Sequence, residues 1–151
     1  MTIVTVLSIL GCSLPKNATQ EQMKHEFVLQ YSGVTKDDIF DRTLRWTAQN
    51  FRSAKDVIDY QDKPSGTIIA KGIIPNVDYG AMVKGDLHFT LTIDCRDGKA
   101  RYNYTNIDMV AEVSNQEIHV GDTQNVHEAA QREFQNLNIS LAQAVNSKDG
   151  F

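Results

Sequence analysis

The sequence predicts an α+β domain: an antiparallel sheet, apolar on one face and polar on the other, packed on two amphipathic helices in two layers. Three observations carry this. "LTIDCRDGKARYNY" centres on Asp97-Gly98, a dipeptide that tolerates the positive φ of a two-residue hairpin turn. Counting outward from it pairs Cys95 with Ala100, Ile93 with Tyr102 and Leu91 with Tyr104 on an apolar face. The other face pairs Asp94 with Arg101, Thr92 with Asn103 and Thr90 with Thr105. Two long stretches, beginning near Thr35 and Asp122, carry apolar residues at helical rather than alternating spacing. The predicted order is β-α-β-β-β-β-α, the pattern of a sheet with helices on one side.

The chain opens on "MTIVTVLSILGCSLPKN", eleven uncharged residues before Cys12. That is too short to span a bilayer, which takes about 20 apolar residues. Its β-branched Ile3, Val4, Thr5 and Val6 suit a strand. Ile9-Leu10-Gly11-Cys12 resembles the bacterial lipobox, a branched apolar residue three before the cysteine and a small one just before it. The resemblance implies that residues 1–11 are a signal peptide removed by cleavage and that Cys12 becomes an acylated N-terminus. Two or more acyl chains give the stable anchoring that a single chain does not. No Lys or Arg precedes the apolar core, whereas secretory signals begin with a basic stretch. Residues 12–24, rich in polar side chains, read as a tether, and residues 25–147 as one domain.

His25–Tyr31 alternates, with Phe27, Leu29 and Tyr31 on one face, as a half-buried strand does. "VTKDDI" is a helix start: Thr35 caps, Asp38 sits at N3, and Val34 and Ile39 can staple the first turn. The helix carries Ile39, Phe40, Leu44, Trp46, Ala48 and Phe51 in one broad stripe. Asp38/Arg42 and Asp41/Arg45 are spaced as i,i+4 ion pairs on the wet side. Strands follow at Val57–Gln61 and Thr67–Ile74, separated by the turn residues Pro64 and Gly66. "NVDYGAMVKGD" reads as a loop with two glycines. Beyond Tyr104 the hairpin count would set Phe89 opposite Asn106, which breaks the pattern unless a bulge lies near Asn106. Glu112–Gly121 is a connection with room for a short strand at Glu117–Val120. Asp122 is the expected cap of a last helix with the stripe Val126, Ala130, Phe134, Leu137, Leu141, Ala144 and Val145.

The run "FTLTIDCRDGKARYNYTNI", preceded by a strand and helix and followed by a long helix, resembles the bacterial domain of unknown function with a TATA-binding-protein-like fold. The likeness covers roughly residues 24 to 107. It implies an exported or lipid-anchored protein of the Gram-negative envelope, on the periplasmic side of the outer membrane. It brings no catalytic residues with it, and chain geometry does not transfer function.

Composition narrows the partners. With 41% apolar and 23% charged residues, 151 residues suffice for one core. The net charge is −4, and between Asp108 and Glu133 six acids face one base, Arg132. Binding a phosphate backbone needs clustered Lys and Arg, so nucleic acid is not expected. Two cysteines make no disulfide framework, and the four histidines, His25, His88, His119 and His127, share no metal-ligand spacing. No phosphate-binding glycine loop, nucleophile elbow or zinc-protease helix occurs. Cys95 belongs to the apolar face and reads as a small hydrophobe; His127 reads as a surface or boundary residue of its helix. No metal, cofactor or enzymatic activity is expected.

The expected function is binding by a lipid-anchored module, its partner an envelope protein or a small ligand. Thr92 and Asn103 on the polar face, and Tyr79, Met82 and Val83 in the glycine-hinged loop, are the candidate contacts. The alternative is a carrier whose cavity, between the sheet and the C-terminal helix, holds an apolar ligand. Phe89, Leu91, Tyr102, Tyr104, Phe134 and Leu137 would either fill that space or line it.

Overall fold

The computed structural model describes residues 25–51, 57–80, 82–121 and 123–147. The signal and tether expectations, Cys12 among them, fall outside the described residues. Six antiparallel strands and two helices follow in the order β1 (His25–Gln30), α1 (Lys36–Asn50), β2 (Ile58–Asp62), β3 (Thr67–Asp78), β4 (Lys84–Arg96), β5 (Lys99–Val113), β6 (Gln116–His119) and α2 (Gln124–Asn146). The sheet runs β1-β5-β4-β3-β2, and β6 pairs with the far end of β5. β1 and β2 are therefore neighbours in sequence but lie near opposite edges, and α1 carries the chain across the sheet between them.

The Asp97-Gly98 hairpin has the expected register: Cys95 faces Ala100, Ile93 faces Tyr102 and Leu91 faces Tyr104. Gly98 takes φ 72°, which the tight turn demands. The register then shifts between His88 and Thr90, and Asn106 adopts φ 50°, the bulge that the broken alternation required. Val57–Gln61 was a close estimate of β2. The expected short strand near Glu117 is β6, one residue earlier and a full sixth strand. The expected loop "NVDYGAMVKGD" is mostly ladder: β3 continues to Asp78 and β4 starts at Lys84, with Val77 opposite Gly85. Its register shift between Ile74 and Val77 interrupts the alternation that would have revealed it.

Both helices cover one face. Thr35 caps α1, its hydroxyl accepting from the Asp38 amide at 3.2 Å. The buried positions are Ile39, Phe40, Thr43, Trp46 and Thr47. That i, i+1, i+4, i+7, i+8 series leaves Ala48 exposed and Leu44 half-buried, so the apolar stripe drawn from sequence is rotated. Thr47 fits inside because its hydroxyl donates to the Thr43 carbonyl at 2.8 Å. Arg42 donates to the carbonyls of Val145 at 2.6 Å and Ser147 at 3.3 Å, rather than serving Asp38. Those carbonyls lie at the end of α2, where backbone acceptors lack intrahelical partners and the dipole is negative. Asp41 pairs with Lys63 at 2.7 Å rather than with Arg45.

α2 is capped by Thr123, whose hydroxyl accepts from the Val126 amide, so the expected cap shifts by one residue. Asp122 itself lies outside the described residues. Its buried face holds Val126, Ala130, Phe134, Leu141 and Val145 as expected and adds His127, Ala129 and Asn138; Leu137 and Ala144 are half-buried. Aromatic rings fill the layer between α2 and the sheet. Tyr104 stacks on Phe134 with centroids 4.0 Å apart, and Phe89 meets Phe134 edge-on at 5.1 Å. The phenols inside are satisfied: Tyr31 and Tyr102 share a hydrogen bond of 2.9 Å, and Tyr104 donates to Asn138 Oδ1 at 2.9 Å. Burial pushes the Tyr31 phenol up to about 12 and those of Tyr102 and Tyr104 higher still, so all three stay neutral.

Candidate functional site

Alternation puts every second side chain of the sheet on the face away from the helices. Across its middle runs a row set by the register: Tyr60 opposite Ile69, Ile69 opposite Thr92, Thr92 opposite Asn103, and Asn103 opposite Glu26. Thr92 and Asn103, half-buried, thus stand directly across from each other at the centre of the face, as the hairpin count required. The adjoining charges are neutralised within the face. Arg101 meets Asp94 at 2.9 Å and Lys71 meets Asp59 at 3.0 Å. The result is a surface with Thr92 and Asn103 at its centre and exposed Val28, Tyr60 and Ile73 around them.

The other three candidates separate. Tyr79 and Val83 close the β3–β4 turn, the Tyr79 amide donating to Val83 O at 3.3 Å and the Val83 amide to Gly80 O at 3.0 Å. Met82 stands 93% exposed with φ 61°, and Val83 is exposed beside it. Tyr79 instead is half-buried and packs against the core. The ribbon is tied down at its base, because Arg132 on α2 donates to the Asp78 carbonyl at 2.7 Å. So the loop supplies two exposed apolar side chains, and its tyrosine anchors it.

A polar pair that the sequence reading left out lies under the sheet edge. His25 Nε2 and His127 Nδ1 are 3.1 Å apart, and His25 Nδ1 is 2.7 Å from Gln131 Oε1. Both histidines are buried, at 1% and 6% exposure, which corrects the surface placement expected for His127. The signals were present: His25 is two residues before Phe27 on the inward face of β1, and His127 lies seven before Phe134 on α2. Burial holds the His25 imidazole below its ordinary value; Gln131 works against this and His127 adds to it. His127 also borders a groove of about 610 Å³ beside Thr105, Asn106 and Asp108. There, among the described residues, β5 is flanked by neither β1 nor β6.

Among the described residues no three His, Cys, Asp or Glu side chains gather to hold a metal. Cys95 is fully buried on the helix side, and burial, with Asp94 nearby, pushes its thiol up to about 12.

The comparisons agree with the geometry. The family model described as a domain of unknown function, DUF4468, with TBP-like fold matches residues 26–109. The chain belongs to this family. The DUF4468 match ends inside β5, just past the bulge, so β6 and α2 lie beyond it. Among solved structures, a TBP-like protein from Parabacteroides distasonis superposes with a TM-score of 0.70 at 12% identity, over 87% of this chain and 97% of that one. A DUF4468 family protein from Bacteroides ovatus gives 0.65 at 14% identity, over 89% and 92%. At such identities the likeness is one of fold. A search of curated proteins finds no match.

Proposed function

We propose that this DUF4468 protein is a non-enzymatic, lipid-anchored module of the bacterial envelope that binds a partner through the uncovered face of its sheet. The observation that carries the reading is the one-sided architecture. Both helices pack on a single face, and the opposite face presents Thr92 and Asn103 at its centre with exposed Val28, Tyr60 and Ile73 around them. The packed rings of Phe89, Tyr104 and Phe134 favour binding at a surface over carriage of an apolar ligand inside. The Ile9–Cys12 motif supplies the anchor, and the net negative charge argues against nucleic acid.

The test has two arms. Intact mass of the protein expressed in a bacterial host shows Cys12 as an acylated N-terminus; an unmodified chain that still carries Met1 refutes the anchor. Thr92→Lys with Asn103→Lys abolishes recovery of the partner from envelope extracts while the melting temperature holds. Recovery unchanged at full stability would place the contact elsewhere.

A further inference from the structure

Of the eight large apolar side chains exposed among the described residues, four lie at one end of the sheet. Met82 and Val83 sit in the β3–β4 turn; Val113 and Ile118 flank the β5–β6 turn. The two ribbons project in the same direction, because Asp86 near the start of β4 pairs with Val110 near the end of β5. The opposite end, with the β2–β3 and β4–β5 turns, presents exposed Lys63, Arg96, Asp97 and Lys99; its exposed large apolar side chains, Val28 and Tyr60, stand apart on β1 and β2 at the two edges of the sheet.

The chain enters the domain facing the apolar end. β1 is antiparallel to β5 with His25 opposite Tyr104, so its N-terminal end points along β5 toward Val113. Nine residue steps of β5 separate those levels, roughly 30 Å. Thirteen steps separate Cys12 from His25, a reach of at most about 43–47 Å. A tether held at Cys12 is therefore long enough to let both ribbon tips touch the surface that holds it.

From this placement we infer that the two ribbon tips, Met82–Val83 and Val113–Ile118, rest on a zwitterionic phospholipid surface and orient the domain upon it. The inference rests on the lipid-anchor reading above. Flexible Met82 suits an irregular apolar boundary, and the Lys84 stem can lie along that boundary with its ammonium in the headgroups. Glu112 and Glu117 face each other directly across β5 and β6. Like charges so placed repel, and both would be repelled by an anionic surface, which sets the lipid class.

The experiment separates orientation from anchoring. The full chain is coupled through Cys12 to vesicles of phosphatidylcholine and phosphatidylethanolamine carrying a maleimide-headgroup lipid; buried Cys95 does not compete. Met82→Trp and, at the far end, Lys99→Trp are compared over the constant background of buried Trp46. Brominated phospholipid quenches Met82→Trp several-fold more than Lys99→Trp, and aqueous acrylamide shows the reverse order. Adding Val113→Asp and Ile118→Asp returns Met82→Trp to water. Equal quenching of the two reporters, or stronger lipid quenching at position 99, overturns the orientation. So does a Met82→Trp signal that is shielded only after an envelope protein is added, which makes the occupant a protein. Because coupling is chemical, a failure here does not depend on acylation in cells, which the intact mass reads separately.

Discussion

Replacing His25, whose buried ring resists protonation, should flatten the acid limb of the stability curve. With Gln131 Oε1 accepting from His25 Nδ1–H, the neutral His25 Nε2 must accept from His127 Nδ1–H. A second proton on His25, at Nε2, would set two N–H groups against each other at 3.1 Å. Gln131 and Phe134 of α2 pack against the His25 ring. Burial already depresses the His25 imidazole. The sign follows. Below about pH 6.5 an unfolded histidine takes a proton that the folded His25 refuses, so stability is lost as pH falls from there. The slope is at most about 1.4 kcal/mol per pH unit for one proton, until the folded His25 accepts it. Between pH 6.5 and 5.5 this amounts to at most about 1 kcal/mol, or about 4 °C in a domain of this size. Thermal melts from pH 7.5 to 5.5 on wild type and His25→Gln check it. The variant keeps an amide to bond Gln131 and His127; it should start lower and descend less steeply. Exposed carboxylates are common to both chains and cancel. Parallel curves would refute the assignment of the acid limb to His25.

Gly72→Ala should cost about 1–3 kcal/mol in urea unfolding, because Gly72 lies opposite Phe89 and an added Cβ would enter the Phe89 ring; an unchanged midpoint would show that the ring moves freely. Tyr102→Ala removes a fully buried ring and its bond to Tyr31, a loss of about 3–5 kcal/mol. Its neighbour on the opposite face, Arg101→Ala, breaks a mostly exposed pair with Asp94 and should leave the midpoint nearly unchanged. Comparable losses for the two would contradict the assignment of faces.

What the sequence by itself determined is what depends on neighbours along the chain. The Asp97-Gly98 turn sets the pairing of everything counted outward from it, so the faces of Thr92, Asn103, Tyr102 and Tyr104 were legible, and so was the bulge at Asn106. Thr35 caps because the amide it serves is three residues away. The centre of the candidate face followed from the same alternation. The tertiary structure decided the rest, because it turns on residues distant in sequence. Arg42 reaches the end of α2, 103 residues on, only because the helices lie side by side. His25 finds His127 across 102 residues, and each is unremarkable within its own element. Met82, Val83, Val113 and Ile118 belong to two separate turns, and only the pairing of β4 with β5 makes them one apolar end. Tyr79 packs inward while Met82 stays out, because the fold sets α2 beneath the base of the ribbon. Local spacing specifies a turn, a cap or a face; which faces and tips share a surface is settled when the helices close over the sheet and bury their apolar sides together.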